Sequence, residues 1–178
     1  MWFILLLFLL IILNLIYNPI KDEKNLEIYS NADALKKKSI AKGTLIKSPY
    51  QSQNDFLAYM GYFLKHKKHE WIFIAFIKDN IVHKFWVNKG VDNKNVSLDL
   101  DFYKIADICQ ENGFNSLLVG HNHPSGALSP SKQDRIFLED FLVFFWCYNI
   151  SVEHVVFVAG RWKQYDLSFV QKIKHYFR

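Results

Sequence analysis

Ser116 to Val119 is a short apolar run, and the residues directly after it constrain the fold more than any other stretch. The continuation is His121-Asn122-His123-Pro124-Ser125-Gly126, then Ser129-Pro130-Ser131 and Asp134. The run reads as a buried strand, and Gly120 lets the chain turn away tightly. Two histidines one residue apart on an extended segment project to the same side, because strand side chains alternate with a period of two. Their imidazoles can therefore converge on one point. Ser129 and Pro130 look like a helix start, serine at the N-cap and proline at the first helical position, which puts Ser131 and Asp134 on the opening turns. Two neutral nitrogens and one carboxylate make three ligands. That is how a catalytic zinc site is built, with the fourth position open for water.

Taken singly, the pieces have plainer readings. His-x-His is common, and Ser131 with an acid three residues on is the pattern of a capping box, which stabilises a helix and nothing more. The combination carries more weight. It runs His-x-His, seven residues, Ser, two residues, Asp, around a Gly/Pro loop, with Glu70 opening an earlier strand.

This set, Glu70, His121-x-His123, Ser131 and Asp134, resembles the JAMM (MPN/JAB) metallopeptidase motif. The wording HNHPSG followed by PSKQD is similar to the bacterial RadC branch of that group, and the resemblance runs from about Leu45 to Phe169. It implies a zinc ion held by His121, His123 and Asp134, with Glu70 as the base and Ser131 donating to the oxyanion. The implied reaction is hydrolysis of a peptide or isopeptide bond in a protein or peptide substrate. The implied fold is α/β, a mixed curved sheet flanked by helices with cytidine-deaminase-like layering. The alternative is a RadC-like, DNA repair-associated protein with a metal site but no peptidase role. Two departures stand out: no helix-hairpin-helix part precedes the domain, and Ala127-Leu128 replaces a common acidic position of the loop.

The rest of the chain fits an α/β order. Residues 52–66 have the apolar spacing of a helix, and 70–77 and 81–87 read as a hairpin turning at Lys78-Asp79-Asn80. A helix over 99–112 stops at Gly113. Residues 131–148 form a strongly apolar helix, with Ile136, Phe137, Phe141, Phe144 and Phe145 expected inside. Strands over 150–158 and 162–165 and a closing helix over 167–177 complete the pattern, and Ile40 to Ile46 suggests a short edge strand. His154, on the late strand, is either an orienting partner for a ligand or a core histidine. Alternation turns His69, the other candidate base, away from Glu70. Cys109 and Cys147 have no activating context for a thiol protease.

Met1 to Tyr17 contain a single polar side chain, Asn14. About 17–25 apolar residues cross a bilayer, so residues 1–20 are expected to form a transmembrane anchor. No Lys or Arg precedes the run and no Ala-x-Ala comes after it, which argues against a cleaved signal peptide. Residues 21–44 read as a linker and 45–178 as the catalytic domain. Lys21, Lys24 and Lys36 to Lys38 lie just behind the apolar run, which places the domain on the cytoplasmic side. The net charge of +5 comes from 22 Lys and Arg against 17 Asp and Glu. That excess suits anionic lipid or nucleic acid. The lysines are mostly scattered among acids, so DNA is the less favoured partner.

Overall fold

The computed structural model describes residues 28–29, 43–48, 50–91, 96, 98 and 100–165. Among these the elements run, in order, β1 (Ile28–Tyr29), β2 (Thr44–Lys47), α1 (Gln53–Leu64), β3 (Trp71–Lys78) and β4 (Ile81–Lys89), then α2 (Phe102–Asn112), β5 (Ser116–Asn122), α3 (Lys132–Trp146), β6 (Ser151–Val158) and β7 (Arg161–Tyr165). Six of the strands form a mixed sheet that the two-residue β1 extends at one edge, in the order β1-β2-β4-β3-β5-β6-β7. The expected apolar helix over 1–20, most of the linker and the closing helix over 167–177 lie outside the described residues. Among the described residues, no helix is long and apolar enough to cross a membrane.

Local chemistry sets these boundaries. Ser52 caps α1 by accepting the Asp55 amide, and Asp101 caps α2 by accepting the Tyr103 amide. Gly113 ends α2 in the left-handed region at φ 66, where glycine has no Cβ to clash. Asp79 and Asn80 both take positive φ, 53 and 62, which is what a two-residue hairpin turn matching the strand twist requires. The β3–β4 hairpin is the expected one, although β4 runs two residues further than expected, to Lys89.

The strand expected over 40–46 is β2. It is not the edge: it pairs antiparallel with β4 on one side and parallel with β1 on the other.

Central β3 is buried on both faces from Trp71 to Ile77. On one side α1 packs Phe56, Leu57 and Met60 against Phe73, Phe85 and Phe157. On the other, α2 and α3 pack Ile105, Phe141 and Phe145 against Ile74, Phe76 and Val119. Phe102 holds the two helices together, with ring centroids 5.0 Å from Phe141 and 5.4 Å from Phe144. Each fully buried aromatic or aliphatic side chain of this kind contributes about 1.5–3 kcal/mol. Ile136 departs from expectation: it is 52% exposed, because it projects from the side of α3 away from the Leu138–Phe141–Phe145 stripe.

Gly120 also differs from its sequence reading. It does not turn the chain; β5 continues through it to Asn122, so both His121 and its neighbours are strand residues. The glycine is there for space. A Cβ at this position would land on the Phe73 ring and on Val155, from the two neighbouring strands. Gly120→Ala should therefore destabilise the fold by about 1–3 kcal/mol through overpacking. Urea denaturation of the two proteins measures it, and an unchanged midpoint would mean that the Phe73 ring moves aside freely.

Candidate metal centre

β5 pairs antiparallel with β3, Ile72 opposite His121, and parallel with β6, Val119 opposite His154. His121 and His154 therefore share the sheet face that carries α2 and α3. His123 lies just past the end of β5, where its amide still donates to Phe157 O at 2.9 Å. The Nε2 atoms of His121 and His123 are 2.8 Å apart, and Asp134 Oδ2 lies 3.3 Å from each. These three side chains can hold a metal ion. A tetrahedral centre with ligand bonds of about 2.0–2.2 Å has edges of roughly 3.2–3.6 Å, and both imidazole–carboxylate separations fall in that range.

Asp134 reaches the imidazoles because α3 begins where it does. The N-cap is Ser131, not Ser129, and Pro130 sits outside the helix. Ser131 wins because the residue three positions on is an acid: its Oγ accepts the Asp134 amide at 3.1 Å, and Asp134 Oδ2 accepts the Ser131 amide at 2.6 Å. The capping box and the metal cluster are thus one structure sharing an oxygen. Ser131 Oγ accepts from the helix, and its O–H hydrogen remains for a second partner at the cleft wall, where Ser131 is found.

The tautomer of His123 is fixed by a partner the sequence does not mark. His123 Nδ1 donates to Ala127 O at 2.7 Å, so in the neutral ring the Nε2 lone pair is left for a metal. Tyr165 donates to the adjacent Leu128 O at 2.6 Å, tying the loop to β7. On the other side, His154 Nε2 lies 3.3 Å from His121 Nδ1, with the two rings stacked at 17°. A ligating His121 Nε2 needs its proton on Nδ1, and His154 is placed to accept it. Burial, with a smaller push from His121, lowers His154 to about 3, so its ring is neutral near pH 7. Of the two sequence readings of His154, the geometry favours the orienting partner.

Glu70 precedes β3, and the register that sets Ile72 opposite His121 brings it, two residues earlier, alongside His123. It lines the same cleft as His121, His123, Ser131 and Asp134, whereas His69 does not. Its backbone is held on both sides. Asn122 Oδ1 accepts the Trp71 amide at 2.8 Å, and Asn122 Nδ2 donates to His69 O at 3.1 Å. The residue between the two histidines thus clamps the peptide units flanking Glu70. Cys109 is buried, its thiol pushed up to about 12 by that burial, and neither it nor Cys147 lines the cleft.

The electrostatics of the cluster are those of a cation site. Burial works against an ionised Asp134, but hydrogen bonds from His121 and His123 outweigh it and hold the carboxyl well below the usual range. The hydrogen bond to Asp134 raises the proton affinity of His123 against the opposing effect of burial, and Ala127 O and Glu70 add to the rise. Protons and metal compete for the same nitrogen, so affinity for a divalent ion, with zinc as the probe, should fall on acidification. Because the His123 pKa is raised, the fall should begin above the ordinary histidine value of about 6.5, at about tenfold per pH unit for one displaced proton. Asp134, already ionised, adds no further proton. Competition titration against a chromophoric chelator checks this, and a flat profile from about pH 8 to about 5.5 would contradict it. If the three side chains hold one ion, added zinc should bind the unaltered chain at one equivalent and His123→Ala at well below one.

Comparison with known proteins agrees with this geometry. The RadC-like JAB domain family matches residues 50–172. A UPF0758 protein of Staphylococcus epidermidis is 34% identical over 68 residues, 38% of this chain and 29% of the relative. A UPF0758 protein of Finegoldia magna is 37% identical over 57 residues, 32% of this chain and 24% of the relative. The chain therefore spans less than a third of the length of either relative in these matches. With most of its length inside the family's bounds and a His-His-Asp cluster at its centre, this chain belongs to the RadC-like JAB domain family.

Proposed function

We propose that the chain is a zinc-dependent hydrolase of the JAMM type that cleaves a peptide or isopeptide bond. The observation that carries this is the convergence of Glu70, His121, His123, Ser131 and Asp134 on one cleft of about 910 Å³. His121, His123 and Asp134 would hold the ion. When bound, zinc supplies a Lewis acid and lowers the pKa of water to about 7.

The chain's own groups supply the remainder. Glu70 takes the proton from the attacking water and hands it to the departing amine nitrogen. Its carboxylate suits that work better than Asp134, whose Oδ2 is taken up by the ion and the helix cap. Ser131 donates its hydroxyl hydrogen to the carbonyl oxygen as negative charge builds there, an interaction worth roughly 100- to 1000-fold in rate. Asn122 holds the backbone on either side of Glu70, so the base is presented from a fixed strand end rather than from a loose loop.

We also propose that residues 1–20 anchor the chain in a membrane with the catalytic part on the cytoplasmic side. The apolar run and the lysines behind it support this. DNA repair remains the second reading, and a complex with duplex DNA whose affinity falls steeply with salt would favour it.

Glu70→Gln should retain wild-type zinc content and hydrolyse peptides roughly 100- to 10,000-fold more slowly. Elemental analysis and a mass-spectrometric cleavage assay on a degenerate peptide library read the two quantities. Wild-type turnover in this variant would remove Glu70 from the mechanism.

A further inference from the structure

The cleft continues past the metal cluster along α3. Gln133, Ile136, Phe137 and Asp140 share one face of that helix, and all four line the cleft. Phe102 of α2 faces them, edge to face with Phe137 at 6.0 Å. The half-exposed Ile136, out of place for a core residue, is part of this wall. The charges are one-sided. Although the chain is net positive, the lining includes Glu70, Asp134 and Asp140 and, among the described residues, no Lys or Arg.

From these observations we infer that the cleft takes a peptide with a bulky apolar side chain beside the scissile bond and a basic side chain at about the third residue from that bond. This rests on the hydrolase reading above and adds its substrate class. Phe137 lies three residues past Asp134, about 4.5 Å along the helix, and Asp140 lies six past it, about 9 Å. An extended peptide advances about 3.3 Å per residue, so these positions meet the first or second and the third residue from the reacting carbonyl. The apolar wall of Ile136, Phe137 and Phe102 receives the first. The Asp140 carboxylate, exposed at the far end, receives the second. Among the described residues, a phosphodiester backbone finds no Lys or Arg on this lining.

The test uses the zinc-loaded full chain and a degenerate peptide library, with cleavage sites read by mass spectrometry. Leu, Ile, Met or Phe beside the cut should be enriched roughly tenfold over Gly or Asp. Lys or Arg three residues away should be enriched about two- to fivefold, the scale of an exposed ion pair. Asp140→Lys should turn the second preference toward Asp and Glu, and Ile136→Glu should weaken the first. Cleavage with neither preference, or with both unaltered by the variants, overturns the inference and leaves the hydrolase standing.

Zinc-loaded Glu70→Gln protein separates the two ideas from the other side, because fluorescence anisotropy reads binding without turnover. A labelled apolar-basic peptide should bind more tightly than a counterpart carrying Gly and Asp at those positions. That result in a wild-type chain that cleaves nothing would support the subsite and remove the hydrolase. Equal affinity for the two peptides, or tighter binding of duplex DNA, would overturn the subsite.

Discussion

One carboxylate oxygen joins two things that have no necessary connection. Oδ2 of Asp134 accepts the Ser131 amide at the start of α3 and stands 3.3 Å from both imidazole nitrogens. The helix start is thereby fixed in register with the end of β5, and the loop between them has little freedom left. Ala127 O and Leu128 O take hydrogen bonds from His123 and Tyr165, which fixes the middle of that loop as well. A cluster assembled this way needs little reorganisation to grip a cation, because the sheet and the helix have already brought the donors together.

The second half of the site depends on strand pairing. Glu70 lies just before β3 and the histidines lie at the end of β5, so only the antiparallel register of these two strands sets it beside them. A slip of one residue would turn Glu70 to the α1 face and bring His69 in its place. The burial of β3 on both faces opposes such a slip, as does the Asn122 amide, which pairs with the peptide groups on either side of Glu70. Gly120 contributes by leaving the space that the Phe73 ring occupies one residue before His121. Packing and chemistry thus meet within a few residues of one another.

Much of this was legible in the sequence, for identifiable reasons. His-x-His at a strand end and an acid at the third helical position are patterns with fixed geometric meaning, and Gly113 and the Asp79-Asn80 turn fell where their chemistry requires, whereas the helix expected from residue 99 starts only at Phe102, capped by Asp101. Other features were hidden because the sequence does not encode them as residue types. Any residue can offer the carbonyl that Ala127 gives His123. Asn122 read as a spacer, since its value lies in a partner 51 positions away. The true N-cap was obscured by two candidate serines around a proline, and the reciprocal bond with Asp134 settles it. Ile136 looked like core because it is apolar in an apolar helix, whereas its neighbours at helical spacing take the inward stripe.

The shared oxygen of Asp134 has a consequence for how this region tolerates change over generations. A lineage that no longer needed the cation would still be under pressure to keep a capped α3, so Asp134 would outlast the histidines for reasons unrelated to catalysis. The two pressures come apart cleanly in one replacement. Asparagine keeps an oxygen that can receive the Ser131 amide but brings no negative charge, so it preserves the helix start while abandoning the ion.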